Sequence, residues 1–148
     1  MRTVVIGVGN PYRRDDGVGP AVVELLRGRG IPVATSLGET TELIELWRDL
    51  DVAVVVDAVR TRAARPGRVH RTIVLPDPGT RPTSSHGLGL GDAVELARVL
   101  DRLPERLALY AVEVGDVSYG EGLSPPVAAT ARRLAGEIYV EVRDGIHG

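Results

Sequence analysis

A run of five apolar residues, Val52 to Val56, constrains the fold of this chain more than any other feature of its sequence. Four of the five are valine, and Asp51 and Asp57 flank the run. A continuous apolar run without polar alternation is typical of a parallel strand that is covered on both faces. Thr3 to Val8 has the same character. These two segments predict a parallel sheet between layers of helices.

Helix-like and strand-like segments alternate along the rest of the chain. Apolar residues recur at helical spacing within residues 18–26, 43–50, 93–100 and 127–142. Further strand-like runs cover residues 31–34, 69–75 and 107–112. Thr40 or Thr41 is expected to cap the second helix, and Pro125-Pro126 suits the first turn of the last one. We therefore expect an α/β fold, a three-layer αβα sandwich with a mostly parallel central sheet of about five strands, as a single domain over residues 1–148.

The composition excludes several kinds of chemistry. The chain has no cysteine, which removes thiolate nucleophiles, disulfides, iron–sulfur clusters and cysteine zinc sites. Every basic residue is arginine, so neither a Schiff-base lysine nor a P-loop lysine is available. A net charge of −2 and only 3% aromatic residues argue against a nucleic-acid partner. The apolar run after Arg2 is too short for a signal peptide or a membrane span, so we expect a cytoplasmic protein without membrane association.

The first glycine-rich turn, Gly7-Val8-Gly9-Asn10, is compatible with nucleotide binding but lacks the third glycine of a dinucleotide fingerprint. The pair Asp15-Asp16 near the following helix also opposes that alternative. Phosphate binds helix N-termini through free amides, and two carboxylates there would occupy these amides and repel it. A nucleotide-binding module is therefore the weaker interpretation.

Ligands of parallel α/β sheets gather beyond the carboxyl ends of the strands. Three polar residues follow the predicted strands there, namely Asp16, Asp57 and His86. A charge at the end of a buried strand is costly without a partner, and the partner of Asp57 is either a metal or one of the nearby arginines, Arg60 and Arg62. Two carboxylates and one imidazole are typical of a catalytic divalent-metal site with open positions.

Other polar residues have simpler interpretations. Asp15 is expected to be a helix N-cap, and His86 taken alone could be an ordinary surface histidine. His70 is expected to face solvent. Glu113 and Asp116 follow a predicted strand and either line the cleft or, as the simpler interpretation, lie in a solvated loop. Ser84 and Ser85 stand beside His86, but the glycines of a nucleophile elbow are absent.

Taken together, the motifs resemble the hydrogenase maturation protease family over nearly the whole chain. The resemblance rests on four segments, which are Gly7–Asn10 with Asp15–Gly19, Val55–Ala58, Ser85–Gly87 and Gly122–Pro125. It implies an αβα sandwich whose metal ligands fall on Asp16, Asp57 and His86. Many members have Glu where this chain has Asp16. Leu37 stands where members often have an Asp implicated in substrate recognition, and Glu39 is a candidate substitute.

The resemblance implies a metal-dependent endopeptidase. Its substrate would be a nickel–iron hydrogenase large-subunit precursor, from which it would remove a C-terminal extension after nickel insertion. Nickel, which the precursor could supply, is the expected metal, and zinc or cadmium is expected to substitute. An aspartic mechanism shared by Asp16 and Asp57 is the alternative chemistry, and a non-catalytic nickel metallochaperone is the alternative function. We expect a monomer.

Overall fold

The computed structural model describes residues 2–76 and 90–144. Its strands are β1 (Thr3–Val8), β2 (Val33–Ser36), β3 (Val52–Val59), β4 (Val69–Val74) and β5 (Arg106–Glu113). Its helices are α1 (Val18–Leu26), α2 (Thr40–Trp47), α3 (Leu90–Val99) and α4 (Pro125–Asp144). A single 3-10 turn, Arg14–Gly17, precedes α1. Of the helices in these two ranges, none has the length and apolar character that a membrane crossing requires.

The five strands form one sheet in the order β2-β1-β3-β5-β4. The first four of these run parallel to one another, whereas β4 pairs with β5 in the antiparallel direction at one edge. The predicted mostly parallel sheet of about five strands is therefore confirmed.

Helices cover both faces of the sheet. Val54 and Val56 of β3 pack into one core with α1 and α4, and Ala53 and Val55 pack into a second core with α2 and α3. All four side chains are fully buried. Because both faces of β3 are covered, every position from Val52 to Val56 is apolar, which explains the run that predicted the strand.

Three local details differ from the sequence-based expectations. Strand β2 begins and ends two residues later than expected, at Val33–Ser36. The side chain of Glu39, rather than Thr40 or Thr41, caps α2 by accepting hydrogen bonds from the backbone N–H groups of Thr41 and Glu42. The acidic pair lies in the 3-10 turn rather than in the first turn of α1. A carboxylate accepts from orphan helix N–H groups as a hydroxyl does, which is why Glu39 takes the capping position.

Helix α1 begins in direct contact with the sheet. A Cβ atom at Gly19 would lie 2.4 Å from the carbonyl oxygen of Val56 and 2.6 Å from the backbone nitrogen of Val8. Only glycine permits this approach. The 3-10 turn is thereby held directly above the carboxyl ends of β1 and β3.

Candidate active site

Two of the three predicted site residues meet at the carboxyl edge of the sheet. Asp57 lies near the end of β3, and Asp16 lies in the 3-10 turn above it. The backbone N–H of Asn10 donates a hydrogen bond to Asp16 Oδ2 at 2.9 Å. A Cβ atom at Gly9 would lie 2.0 Å from the carbonyl oxygen of Asp16 and 3.7 Å from its Cγ, so this glycine lets β1 pass directly beneath the carboxylate.

The environment of Asp57 raises its pKa from 3.8 to about 7. The main cause is burial, which disfavours the charged form. A hydrogen bond from the backbone of Ala58 lowers the pKa, and the nearby charge of Asp16 raises it further. No ion pair to Asp57 exists in the two described ranges, so the alternative in which Arg60 or Arg62 neutralises it is wrong there.

This arrangement fits a divalent cation. A half-buried carboxylate without an ion pair in the described ranges stands beside a second carboxylate, and a cation between them would relieve the repulsion that adds to the rise of the Asp57 pKa caused by burial. The remaining predicted ligand, His86, lies outside the described residues, so its participation stays a prediction. Asp16 and Asp57 are accordingly not joined by a third metal-ligating residue in residues 2–76 and 90–144.

Asp15 does not have the role expected of it. Its side chain caps no helix and is completely buried. One carboxylate oxygen accepts a hydrogen bond from the backbone N–H of Ser124 at 2.7 Å. The other accepts from Ser124 Oγ at 2.8 Å and from the backbone N–H of Gly115 at 3.2 Å. The N-cap interpretation is therefore wrong, because the acid binds a distant loop rather than its own helix.

Backbone hydrogen bonds reinforce this connection. Arg14 N–H donates to the carbonyl of Gly120, whose own N–H donates to the carbonyl of Tyr12. The N–H of Asp15 donates to the carbonyl of Asp116. The turn that carries Asp16 is thus tied to the loop between β5 and α4, which we call the 114–124 loop.

Comparisons with known proteins agree with this geometry. The family model for hydrogenase maturation proteases matches residues 38–141. The hydrogenase 2 maturation protease of Escherichia coli (strain K12) is 29% identical over 151 residues, which cover 97% of this chain and 92% of that protein. The hydrogenase expression/formation protein HupD of Bradyrhizobium diazoefficiens is 31% identical over 137 residues, with 85% and 70% covered.

The chain belongs to the hydrogenase maturation protease family. The solved structure of the hydrogenase maturating endopeptidase HybD from Escherichia coli superimposes with a TM-score of 0.79 at 25% identity, covering 97% of this chain and 93% of that one. The [NiFe] hydrogenase maturation protease HybD of Thermococcus kodakarensis shares the fold, with a TM-score of 0.72 at 22% identity over 96% and 99% of the two chains. The family identification made from the motifs is confirmed.

Within this family fold, the hydrogen bonds link two of the motifs that carried the resemblance. Asp15 belongs to the first motif and Ser124 to the last, and three hydrogen bonds join Asp15 to Ser124 and its loop. The two motifs therefore form one unit that supports Asp16.

The structure also contains a polar cluster around Glu113 that was not predicted from the sequence. Glu113, at the end of β5, is buried and accepts hydrogen bonds at one oxygen from Thr61 Oγ1 and the backbone N–H of Arg65. Its other oxygen lies 2.7 Å from His70 Nε2 and 3.7 Å from Arg68 Nε. The backbone N–H of Arg65, followed by His70, lowers the pKa of Glu113 to about 2.

The solvated-loop expectation for Glu113 was wrong, because this residue is buried at the end of a strand. His70 is partly exposed, in line with its expectation, but its ring also contacts Glu113. The signal was present, because Glu113 ends a continuous apolar run just as Asp57 does. Asp116, in contrast, is exposed as expected.

Cavities lie around the turn that carries Asp16, although neither Asp16 nor Asp57 lines them. Two of them, about 240 and 350 Å³ in volume, are both lined by Pro11, Pro20 and Thr35. The smaller also contacts Gly9, which lies beneath Asp16, and Leu37. A larger cavity of about 670 Å³ lies at the opposite edge of the sheet, where β1 begins and α4 ends. The chemistry is at the carboxyl edge, so the two smaller cavities are the ones relevant to the site.

Proposed function

We propose that this protein removes a C-terminal extension from a nickel–iron hydrogenase large-subunit precursor after nickel has been inserted. Proteolysis in hydrogenase maturation is what membership of the family shows. The finer assignment is supported by one observation above all. Asp16 and Asp57 form a carboxylate pair above the strand ends, with a negative charge that an incoming cation would stabilise.

In this proposal the nickel ion is part of the substrate. Asp16 and Asp57 would hold it together with His86, while the precursor supplies the remaining ligands. A bound divalent metal polarises a carbonyl group and lowers the pKa of bound water to about 7. The protein contributes two further features. The 114–124 loop fixes Asp16, and burial gives Asp57 a pKa at which it can accept or release a proton near neutral pH.

Hydrolysis of the peptide bond requires a proton to leave the attacking water and another to reach the departing amine. In the aspartic alternative, in which Asp16 and Asp57 share one proton, Asp57 is suited to this transfer, since a general base works best when its pKa is close to the working pH. A cation held by Asp57 would instead keep this carboxylate ionised. The two mechanisms differ in one measurable respect, because only the metal-dependent one requires a cation during cleavage.

The decisive experiment incubates purified protein with nickel-loaded precursor and follows the loss of mass. Asp16→Ala, Asp57→Ala and His86→Ala should each remain folded and lose processing. Glu137→Ala, which removes an exposed acid of α4 that pairs with Arg133, is the matched control and should process normally. Full activity of the His86 variant would refute the ligand assignment.

Substrate dependence tests the role of nickel. Casein and nickel-free precursor should both remain uncut, because three ligands without a cysteine bind nickel weakly until the precursor completes the coordination. Efficient cleavage of nickel-free precursor in a chelating buffer would favour the aspartic mechanism and leave the protease assignment intact. Nickel binding without any mass loss would instead indicate the metallochaperone.

Metal preference provides an independent measurement. Two carboxylates and an imidazole should bind nickel, zinc or cadmium more tightly than magnesium or calcium. Calorimetry on the isolated protein would reveal this order, and tighter binding of magnesium than of nickel would contradict it.

We place this activity in the cytoplasm and expect the protein to act as a monomer on the precursor. Cell fractionation and light scattering of the purified protein test the two statements separately.

A further inference from the structure

Strand β2 is the sheet edge next to the carboxylate pair. It pairs with β1 only, in parallel, and the register sets Val5 opposite Val33 and Gly7 opposite Thr35. Two backbone bonds fix which groups of β2 face β1, since Val5 N–H donates to the carbonyl of Pro32 and Gly9 N–H donates to that of Ser36.

Even-numbered residues of β2 therefore use their backbone groups to bind β1. Because the pattern alternates along a strand, the N–H and C=O groups of Val33 and Thr35 point away from the sheet. In the described part of the chain, the outward N–H and C=O groups of Val33 and Thr35 have no backbone hydrogen-bond partner. Thr35 is also exposed. The structure thus presents a short open strand edge beside the site.

This edge leads directly to the site. Thr35 lines both cavities at the carboxyl edge, and Leu37, which follows β2, lines the smaller one with its side chain 76% exposed. The bond from Gly9 N–H to the carbonyl of Ser36 is 2.9 Å long, and Gly9 lies beneath Asp16. One backbone hydrogen bond therefore joins the end of β2 to Gly9, which lies directly beneath the turn that carries Asp16.

We infer that the precursor segment beside the scissile bond binds in extended form along β2, with its backbone pairing to Thr35. An extended peptide that adds to an open edge gains main-chain hydrogen bonds, while alternate side chains enter adjoining pockets. This inference rests on the proposed function, since a protease must hold its substrate chain in a defined register. The two cavities would accept side chains of the bound segment, and exposed Leu37 favours an apolar residue there.

The distances are compatible with such a path. A strand added to β2 would lie about 10 Å from β1 and about 14 Å from β3, which carries Asp57. An extended chain covers about 3.3 Å per residue, so roughly four or five residues beyond the paired segment suffice to reach the carboxylates. The other sheet edge, β4, is as far from β3 as β2 is, but it lies two strands farther from β1 and from the Gly9 backbone beneath Asp16.

A second copy of this chain is a poorer occupant. β2 has only four residues, and Pro32 precedes it without an N–H group. Short edges with proline resist pairing between identical sheets. A flexible precursor segment needs only one or two backbone bonds at this position because the site itself supplies further contacts.

Two substitutions at one position test the pairing. Thr35→Pro removes the outward N–H without breaking a bond to β1, and proline is tolerated on strand edges. Thr35→Ala keeps the N–H and removes the hydroxyl. With nickel-loaded precursor, the kcat/KM of Thr35→Pro should be about tenfold below that of Thr35→Ala, mainly through KM, because the two variants differ in the outward N–H. Thermal unfolding of both variants verifies that the sheet is intact.

Hydrogen exchange gives a readout that needs no substitution in β2. In the free protein the amide of Thr35 should exchange faster than that of Ala34, which faces β1. Adding nickel-loaded precursor to an Asp57→Asn variant, which should not cut and whose binding is first verified by co-elution in gel filtration, should slow Thr35 markedly.

Each other outcome overturns the pairing. Equal kcat/KM for Thr35→Pro and Thr35→Ala, or unchanged Thr35 exchange in the complex, would show that the precursor binds elsewhere while wild-type cleavage keeps the proposed function standing. Slowing of Thr35 that depends on protein concentration alone would assign the edge to a second copy. Absence of cleavage by the wild-type protein would refute the proposed function itself.

Discussion

Asp57 and Glu113 occupy comparable positions in neighbouring strands and have opposite acid–base properties. Each is near the carboxyl end of a buried strand, and the β3–β5 register sets Asp57 beside Ala111, two residues before Glu113. Burial raises the pKa of Asp57 to about 7. Hydrogen bonds from the backbone of Arg65 and from His70 lower the pKa of Glu113 to about 2.

The difference lies in the partners. Glu113 is hydrogen-bonded at both oxygens to the segment between β3 and β4 and to β4 itself, and thereby fixes that segment. Asp57 has no ion-pair partner in the described ranges and faces another acid instead. An acid whose interactions are complete stabilises the fold, whereas one left incomplete is available for chemistry.

The largest expected effect is on processing activity, which should distinguish the role of Asp57 from that of Glu113. Asp57→Asn should lower processing of nickel-loaded precursor by about a thousandfold or more and leave the protein folded. Glu113→Gln should retain most processing and lower the melting temperature. Activity assays and thermal unfolding of the same two preparations provide the measurement. Loss of activity in the glutamate variant with an unchanged melting temperature would reverse the assignment.

The next largest effect that should distinguish Asp57 from Glu113 is the pH dependence of the free energy of unfolding. The folded pKa of Asp57 is above its ordinary value of 3.8, so between about pH 4 and pH 7 the folded protein binds more protons at this residue than the unfolded chain does. The free energy of unfolding should therefore fall as pH rises through this window, by up to roughly 4 kcal/mol.

Denaturant unfolding of wild type and Asp57→Asn without divalent metal, at about pH 4 and about pH 8, measures this decline. The variant should lack this component. Parallel pH profiles for the two proteins would show that Asp57 titrates normally.

Asp15 tests whether a satisfied acid can also support the site. In the wild-type protein, N–H and O–H donors bind both oxygens of the Asp15 carboxylate. Asp15→Asn replaces one of these oxygens with an NH₂ group that cannot accept, which should lower the free energy of unfolding by about 3 kcal/mol. Ser124→Ala removes one hydrogen bond and should cost about 1 kcal/mol. Processing should fall in the same order, because Asp16 follows Asp15 directly. Full activity in Asp15→Asn with wild-type stability would restore the capping interpretation.

The smallest effect is expected at His70. Its ring bonds Glu113 at the sheet edge and is partly exposed, so His70→Gln, which can still donate, should lower the melting temperature by only a few degrees. His70→Leu should lower it more. Stability at low pH provides a further check. The lowered pKa of Glu113 stabilises the fold above about pH 4.5, and this stabilisation is lost as pH falls towards 2. In Glu113→Gln, the free energy of unfolding should therefore change less over this pH range.

Much of the fold could be predicted because its signals are local. The apolar run at Val52 to Val56 predicts a strand covered on both faces, and the Pro125-Pro126 pair predicts the start of α4, where the structure has it. The direction of β4 could not be predicted, since a strand-like run carries no information about its partner. The predicted bounds of β2 were two residues too early because the short, mixed sequence of this strand has a weak pattern.

The site was predictable to the extent that chemistry follows position. Asp16 and Asp57 meet because both follow parallel strands, whose carboxyl ends share one edge. Asp15 was misassigned because its partners come from Gly115 and Ser124, which no local rule connects to it. The pairing of Glu113 with His70 likewise depends on β4 lying antiparallel to β5.

The bond between Asp15 and Ser124 joins residues that are 109 positions apart. During synthesis, a ribosome must therefore make nearly the whole chain before the turn that holds Asp16 can be fixed. Contacts between such distant positions form late in folding, because long loops must close first. A growing polypeptide that has not reached Ser124 has an acidic pair but no fixed support for it, so we expect no peptidase activity before the 114–124 loop has been made and packed.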